Sequence, residues 1–436
     1  MIRRKLYALF ALLILCFSYK LYVELTTLLV HEDTPPGSRR HVADDVRQPK
    51  QHPCFSDIRG KKKFHCQELV RGRGFHAFAN QSLSNKRLHQ EQDCDFLVAV
   101  QDCESLREQH GYLDKPVAPK EKHFAIAYTI KVHKYPRQVE QLLRNIYRPH
   151  NVYCVHVDGS SRRLFQVMKQ LSECFHNVIV IQKINVVYFS IGLLQTDLVC
   201  MEELLKSNIR WKYYINLAGQ EFPLKTNLEI VEILQALNGT NDIEAYPFPD
   251  FIKSRYLTHK YIENGVLKRS HIPKEPFKHN ITFYKGSMYG MFSRKFVEFV
   301  MTSEIARDFV LWLNDTFAPE EMMWGTLNAL PDAPGGYSVV VDHKKGGFLS
   351  RAMVWKDDED VCEGEYVHGV CVFSFRDLPW LSRRPEVVAN KVDLQKDQVV
   401  IDCLEEALQA RAYTGNTSTL DWTFYNAAPH MHIHRN

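Results

Sequence analysis

The chain has 436 residues, 45% of them hydrophobic and 24% charged, with a formal net charge of +4. That excess is small for the length and no basic stripe is interleaved with aromatics, which excludes nucleic acid as a partner. Eleven cysteines fit an oxidising compartment better than a cytosol, and the lack of zinc-finger Cys-x-x-Cys spacing excludes a structural metal.

In chain order, Arg3, Arg4 and Lys5 precede an apolar run from Leu6 to Tyr19 broken only by Ser18. Residues 1–5 are expected to stay cytoplasmic and 6–30 to form a transmembrane signal anchor. The strict run is shorter than the roughly 20 residues that cross a bilayer, so Lys20 must snorkel and the helix continue. A cleaved signal peptide is the competing reading, and both export the rest of the chain. Residues 31–53 are charged and carry Pro35, Pro36, Gly37 and Pro49, which predicts a flexible stem. Residues 54–122 hold Cys54, Cys66, Cys94 and Cys103, and read as an ordered region stapled to something else. Sequons at Asn80, Asn238, Asn280, Asn314 and Asn416 are candidate N-glycosylation sites in an exported chain.

The body spans 123–413. It opens with the continuous apolar run Phe124 to Ile130, a buried strand, followed by a helix over Gln138–Tyr147 with Val139, Leu142, Leu143 and Ile146 on one face. Strands over 152–157, 178–182 and 213–217 then alternate with helices over 162–174 and 193–205, which predicts an α/β fold with a largely parallel sheet. Ligands in such sheets bind beyond the carboxyl ends of the strands. Those ends are His133, Asp158 and the turn Ala218-Gly219-Gln220-Glu221. Asp158 could accept hydrogen bonds from a ribose or uracil, or simply serve as a turn or cap residue. No Gly-x-Gly-x-x-Gly, Walker loop or strand-ending Asp-x-Asp is present, and Asp357-Asp358-Glu359-Asp360 reads as a surface charge run. A nucleotide bound here would need side-chain cations in place of a metal. The segment Asp315-Thr316-Phe317-Ala318-Pro319-Glu320-Glu321 opens an apolar helix with two adjacent carboxylates, either a plain surface helix start or a base placed in a cleft. Residues 414–436, with alternating His430, His432 and His434, read as a flexible polar tail without a catalytic role.

Several motifs in one order carry a resemblance that runs from about Cys66 to Cys403. They are Tyr153-Cys-Val-His-Val-Asp158, Trp211-Lys-Tyr-Tyr-Ile-Asn-Leu217, Phe222-Pro-Leu-Lys-Thr-Asn-Leu-Glu-Ile-Val231, Pro319 to Trp324, and Val388-Ala-Asn-Lys-Val-Asp393. The chain resembles the core 2 and I-branching β-1,6-N-acetylglucosaminyltransferases. The resemblance implies a GT-A-like α/β fold with a mixed, largely parallel sheet, behind a membrane anchor and stem. It implies a single-pass type II protein of the Golgi membrane that inverts configuration, needs no metal or other cofactor, and moves N-acetylglucosamine from UDP-GlcNAc to a 6-hydroxyl of an O-glycan or polylactosamine. Glu321 matches the general base and Glu320 its neighbour on the acceptor side. Lys391 matches the lysine that neutralises the departing diphosphate. Asp158, His133, Tyr188 and His368 complete the expected donor side; Glu244, Arg255 and Trp355 form the acceptor side. The implied disulfides are Cys66–Cys403, Cys103–Cys174, Cys154–Cys200 and Cys362–Cys371, with Cys54 and Cys94 left over. Partners implied are a UDP-sugar, a glycoprotein acceptor, the Golgi membrane and, as an open option, a second copy of the chain.

The chain also departs from the family pattern. His368 stands where an arginine is expected; Ile252, with Lys253 one place on, where an acceptor lysine is expected. Asp357 replaces a tyrosine, Ile191 a tryptophan, Gly219-Gln220-Glu221 a Gly-Met-Asp, and Ala218 holds the place of a free cysteine. These changes leave open a weakly active, glycan-binding scaffold protein, or a transferase using another donor such as UDP-xylose.

Overall fold

A computed structural model describes residues 66–73, 75, 101–431 and 433. The expected anchor and stem, Asn80, Cys54 and Cys94 lie outside the described residues. No helix among the described residues is long and apolar enough to cross a membrane.

The central sheet has six strands. Four run in parallel: β1 (Ile126–Val132), β2 (Val152–Val157), β3 (Val178–Ile181) and β4 (Tyr213–Ala218), in the order β3-β2-β1-β4. The strand Gly290–Ser293 continues the sheet antiparallel to β4, and β6 (Asp242–Ile243) closes it. The sheet is therefore mixed and largely parallel, as the alternation of apolar runs predicts. Every residue of β1 and β2 is buried, because helices cover both faces. On one face Val139, Leu142, Leu143 and Ile146, from the helix Pro136–Ile146, join Ile126, Tyr128 and Ile130 in one apolar cluster. On the other, Leu194, Met201 and Leu204 of the helix Gly192–Lys206 pack with Ala127, Cys154 and Tyr214. Each such side chain stabilises the fold by roughly 1.5–3 kcal/mol on full burial.

A second sheet of three short strands sits where the chain leaves β4. β5 (Glu221–Pro223) pairs antiparallel with Val388–Asn390, which in turn pairs in parallel with Arg351–Ala352. This pairing draws residues 221, 351 and 390 together from distant parts of the sequence. Among the described residues four disulfides form, Cys66–Cys403, Cys103–Cys174, Cys154–Cys200 and Cys362–Cys371, the four pairs the resemblance implies. The first closes a separation of 337 residues, and restricting loops of that size in the unfolded chain contributes up to ~5 kcal/mol. The four described sequon asparagines, Asn238, Asn280, Asn314 and Asn416, are all exposed.

The end of the chain is not the flexible tail expected. Asp421 caps a helix over Trp422–Ala427, and Leu420, Tyr425, Ala428 and Met431 are buried in the core. His430 is fully buried, its Nε2 3.0 Å from Asp242 Oδ1 beside β6. A six-residue helix that buries only Tyr425 leaves little periodicity in the sequence to announce it. Deleting 416–436 is therefore expected to lower the melting temperature in calorimetry by exposing the core residues that this segment covers; an unchanged transition would show that it adds nothing.

Candidate active site

The parallel strands deliver His133, Asp158 and Ala218 to one edge of the sheet. Asp158 is built into its own turn: Oδ1 accepts from the Ser160 backbone and hydroxyl, and Oδ2 from Val186 N at 2.9 Å. Burial pushes this carboxyl up, but those hydrogen bonds and the nearby His133 outweigh it and hold the group below its ordinary value. Its turn role is thus present, and it fixes the loop after β3 at the mouth of the sheet.

Lys391 follows the strand Val388–Asn390 and is tied to the cystine hairpin: its N–H donates to Cys371 O, and its carbonyl accepts from Phe373 N at 2.9 Å. Burial, reinforced by Lys134, pulls its ammonium below the usual lysine value, against Glu221 and Asp393. Both of those carboxylates are committed elsewhere, Glu221 to Arg351 and Asp393 to Lys134. A lysine so placed gains from an incoming anion. His133 feels the same field, since burial and then Lys134 hold its imidazole low, with Lys391 adding to the effect.

The hairpin places His368 against Tyr188, rings 5.5 Å apart. His368 and Gly369 both have positive φ, 54° and 82°, between the strands Glu365–Val367 and Val370–Val372. This turn geometry favours glycine and tolerates histidine better than most side chains. Tyr188 is 53% exposed and lies within the electrostatic reach of Glu320 and Glu321, so it bridges the hairpin to the carboxylate helix.

That helix, Glu320–Asn328, is anchored by the buried Met322, Met323, Trp324 and Leu327. Its start is fixed from outside. Ala318 adopts φ 49° and its N–H donates to Phe189 O at 2.8 Å, while Phe189 and Phe317 stack with centroids 4.4 Å apart. The two carboxylates then face different surroundings. Glu320 is 3% exposed, and its Oε2 has no hydrogen-bond partner. Burial, then the neighbouring charge of Glu321, pushes its carboxyl up to about 8. Glu320 is therefore mostly protonated at neutral pH, so it would meet an acceptor as a neutral carboxyl. Glu321 instead keeps cationic company: its Oε2 is hydrogen-bonded by the Arg255 guanidinium and lies 3.2 Å from Lys285 Nζ. Of the adjacent pair, Glu321 is the one suited to act as a charged base.

Lys285 also joins Glu321 to the acceptor side. Burial opposes its charge, but Glu321, Tyr246 and Glu244 outweigh it and raise the ammonium above its ordinary value. Glu244 is 4% exposed and its Oε1 accepts from His343 N at 3.0 Å and Nδ1 at 2.6 Å. Gly286 lets the chain after Lys285 pass close to the Glu244 backbone, where a Cβ would stand 1.8 Å from the carbonyl oxygen. Trp355 is half-buried, its Nε1 donating to Met353 Sδ and its ring centroid 6.4 Å from that of His343. The expected acceptor residues Arg255, Glu244 and Trp355 thus connect to Glu321 through Lys285 and His343. Lys253 does not stand in for the missing acceptor lysine: it is half-buried and paired with Asp250 at 2.6 Å, and Ile252 packs on the apolar cluster.

Lys285, His343 and the pair Glu221–Arg351 escaped the sequence reading. Both side chains of that pair are fully buried, with Arg351 Nε 2.7 Å from Glu221 Oε1. Asn390 Nδ2 donates to the same oxygen at 2.7 Å, and Ala218 N to the other at 2.8 Å. The carboxylate in the altered Gly219-Gln220-Glu221 turn thereby holds the backbone that presents Lys391. Glu221→Gln leaves Arg351 without its counter-charge, and an expected loss of about 3–5 kcal/mol should appear as a lowered urea midpoint. No change in the midpoint would refute this role.

The chain belongs to the Core-2/I-branching enzyme family, whose model matches residues 126–382. A rat beta-1,3-galactosyl-O-glycosyl-glycoprotein beta-1,6-N-acetylglucosaminyltransferase 3 is 35% identical over 375 residues, covering 83% of this chain and 84% of that one. A zebrafish (Danio rerio) transferase 4 of the same name is 37% identical, covering 76% and 80%. A human N-acetyllactosaminide beta-1,6-N-acetylglucosaminyl-transferase is 37% identical over 72% of this chain and 79% of its own length.

Proposed function

We propose that the chain transfers N-acetylglucosamine from UDP-GlcNAc to a 6-hydroxyl of a galactose-containing O-glycan or polylactosamine, with inversion and without a divalent metal. The observation that carries this reading is the division of labour between Glu320 and Glu321 at the start of the helix Glu320–Asn328, with an under-compensated Lys391 on the donor side. The relatives' names supply the transferred sugar and the linkage. Glu321 takes the proton of the acceptor hydroxyl as its oxygen attacks the anomeric carbon. The bond to the diphosphate breaks, and Lys391, with Lys134 nearby, receives the developing negative charge. Arg255 and Lys285 hold Glu321 in place, and Trp355 offers an apolar face to the C–H side of a galactose ring.

The cystines and exposed sequon asparagines support an exported protein, and the cationic N-terminus followed by an apolar run supports a type II anchor in the Golgi membrane. The test is a transfer assay on the purified chain, with a panel of UDP-sugars and core 1 or linear lactosamine acceptors. Transfer from UDP-GlcNAc that persists in chelator is expected. Transfer only from UDP-xylose would reassign the donor, glycan binding without transfer would leave a scaffold, and activity abolished by EDTA and restored by manganese would refute the metal-free mechanism.

A further inference from the structure

The acceptor side contains a histidine that neither the family motifs nor the sequence reading assigns. His343 lies in a short turn over His343–Lys345, begun by Asp342, whose side chain accepts from Lys344 N. Its backbone N–H and Nδ1 both reach one oxygen of Glu244, at 3.0 and 2.6 Å. Its Nε2 is buried without a hydrogen-bond partner, and its ring lies beside Trp355. We propose that His343 is a positioning residue that clamps Oε1 of Glu244, leaving the other oxygen to receive an acceptor hydroxyl, and so makes acceptor affinity depend on pH. This inference rests on Glu244 being an acceptor contact, as the proposed function has it.

The groups facing the imidazole are Glu244, Asp342 at 3.8 Å from Nδ1, and Asp358, itself paired with Lys344 at 3.2 Å. Those facing Glu244 on its other flank are Lys285 and Tyr246. Burial disfavours the imidazolium, but the hydrogen bond and charge of Glu244, then Asp358 and Asp342, outweigh it and raise His343 above its ordinary value. A raised histidine holds its full pairing strength below the ordinary value and loses it as pH climbs through the raised one. The clamp is therefore charge-assisted below the ordinary histidine value and relaxes to a neutral contact only as pH climbs through the raised one. Ligand atoms of Glu244, Asp342 and His343 also lie within 4.8 Å of one another, so a bound cation is the rival account of the cluster.

The experiment is calorimetric binding of a β1,3-linked galactosyl-N-acetylgalactosamine disaccharide to the UDP-loaded full chain at pH 6 and pH 8. The wild type is expected to bind about fivefold more weakly at pH 8, the order of the difference between a charge-assisted and a neutral hydrogen bond. His343→Gln, whose amide still donates, should bind with the same affinity at both pH values. His343→Ala should raise acceptor KM several-fold with little change in kcat, and His343→Gln should restore most of it. Equal pH slopes in wild type and His343→Gln overturn the inference, as does absence of disaccharide binding, or zinc tightening wild-type binding but not that of His343→Gln. A His343-dependent slope without any sugar transfer would sink the transferase reading and leave the clamp; transfer with no such slope would do the reverse.

Discussion

Glu321→Gln is expected to reduce turnover about 10²–10⁴-fold, the usual contribution of a positioned general base, while UDP affinity stays nearly unchanged. The isosteric amide keeps the helix start and can still accept from Arg255 and Lys285, but it cannot take a proton. Glu320→Gln is the informative partner. Because burial keeps Glu320 mostly protonated at neutral pH, its conversion to a neutral amide should cost far less than the change at Glu321. Steady-state transfer kinetics on both variants, with UDP titrated separately, separates the two carboxylates. Undiminished transfer by Glu321→Gln, or a larger loss at Glu320, would remove Glu321 as the base.

The contrast between neighbouring glutamates shows what sequence could and could not disclose. The order of strands and helices was legible because β1, β2 and β4 are continuous apolar runs and the helices between them repeat at 3–4 residues. Strand ends such as Asp158 and His133 followed from that order. Which of Glu320 and Glu321 is charged did not, since it depends on burial and on Lys285 and Arg255, distant in sequence. Glu221 looked like a departure from a motif; only the pairing of β5 with Val388–Asn390 shows its carboxylate meeting Arg351 and Asn390. Lys285 and His343 carry no local pattern, because their significance lies in facing Glu321 and Glu244 across separate loops. The tail failed for a different reason: its helix is six residues long and buries only Tyr425, too little periodicity to read.

Lys391→Ala should lower turnover by about 10²–10³-fold and weaken UDP binding as well, in contrast to the selective effect at Glu321. The reason lies in the local charge balance. Glu221 and Asp393 already serve Arg351 and Lys134, and burial disfavours the ammonium until an anion arrives. A diphosphate supplies that anion in the ground state, and more charge gathers on it as the glycosidic bond breaks, so both binding and transfer depend on the lysine. His368→Arg probes the same anion from the hairpin side: a guanidinium adds a fixed charge and a two-pronged donor that imidazole lacks, and activity at neutral pH is expected to rise. The gain must exceed the strain of placing arginine at φ 54°, which caps it at a modest multiple. UDP inhibition constants and kcat measured together at pH 7 decide the matter. Loss of turnover in Lys391→Ala with UDP binding intact would mean that the lysine meets charge only in the transition state, and loss of neither would remove it from the site.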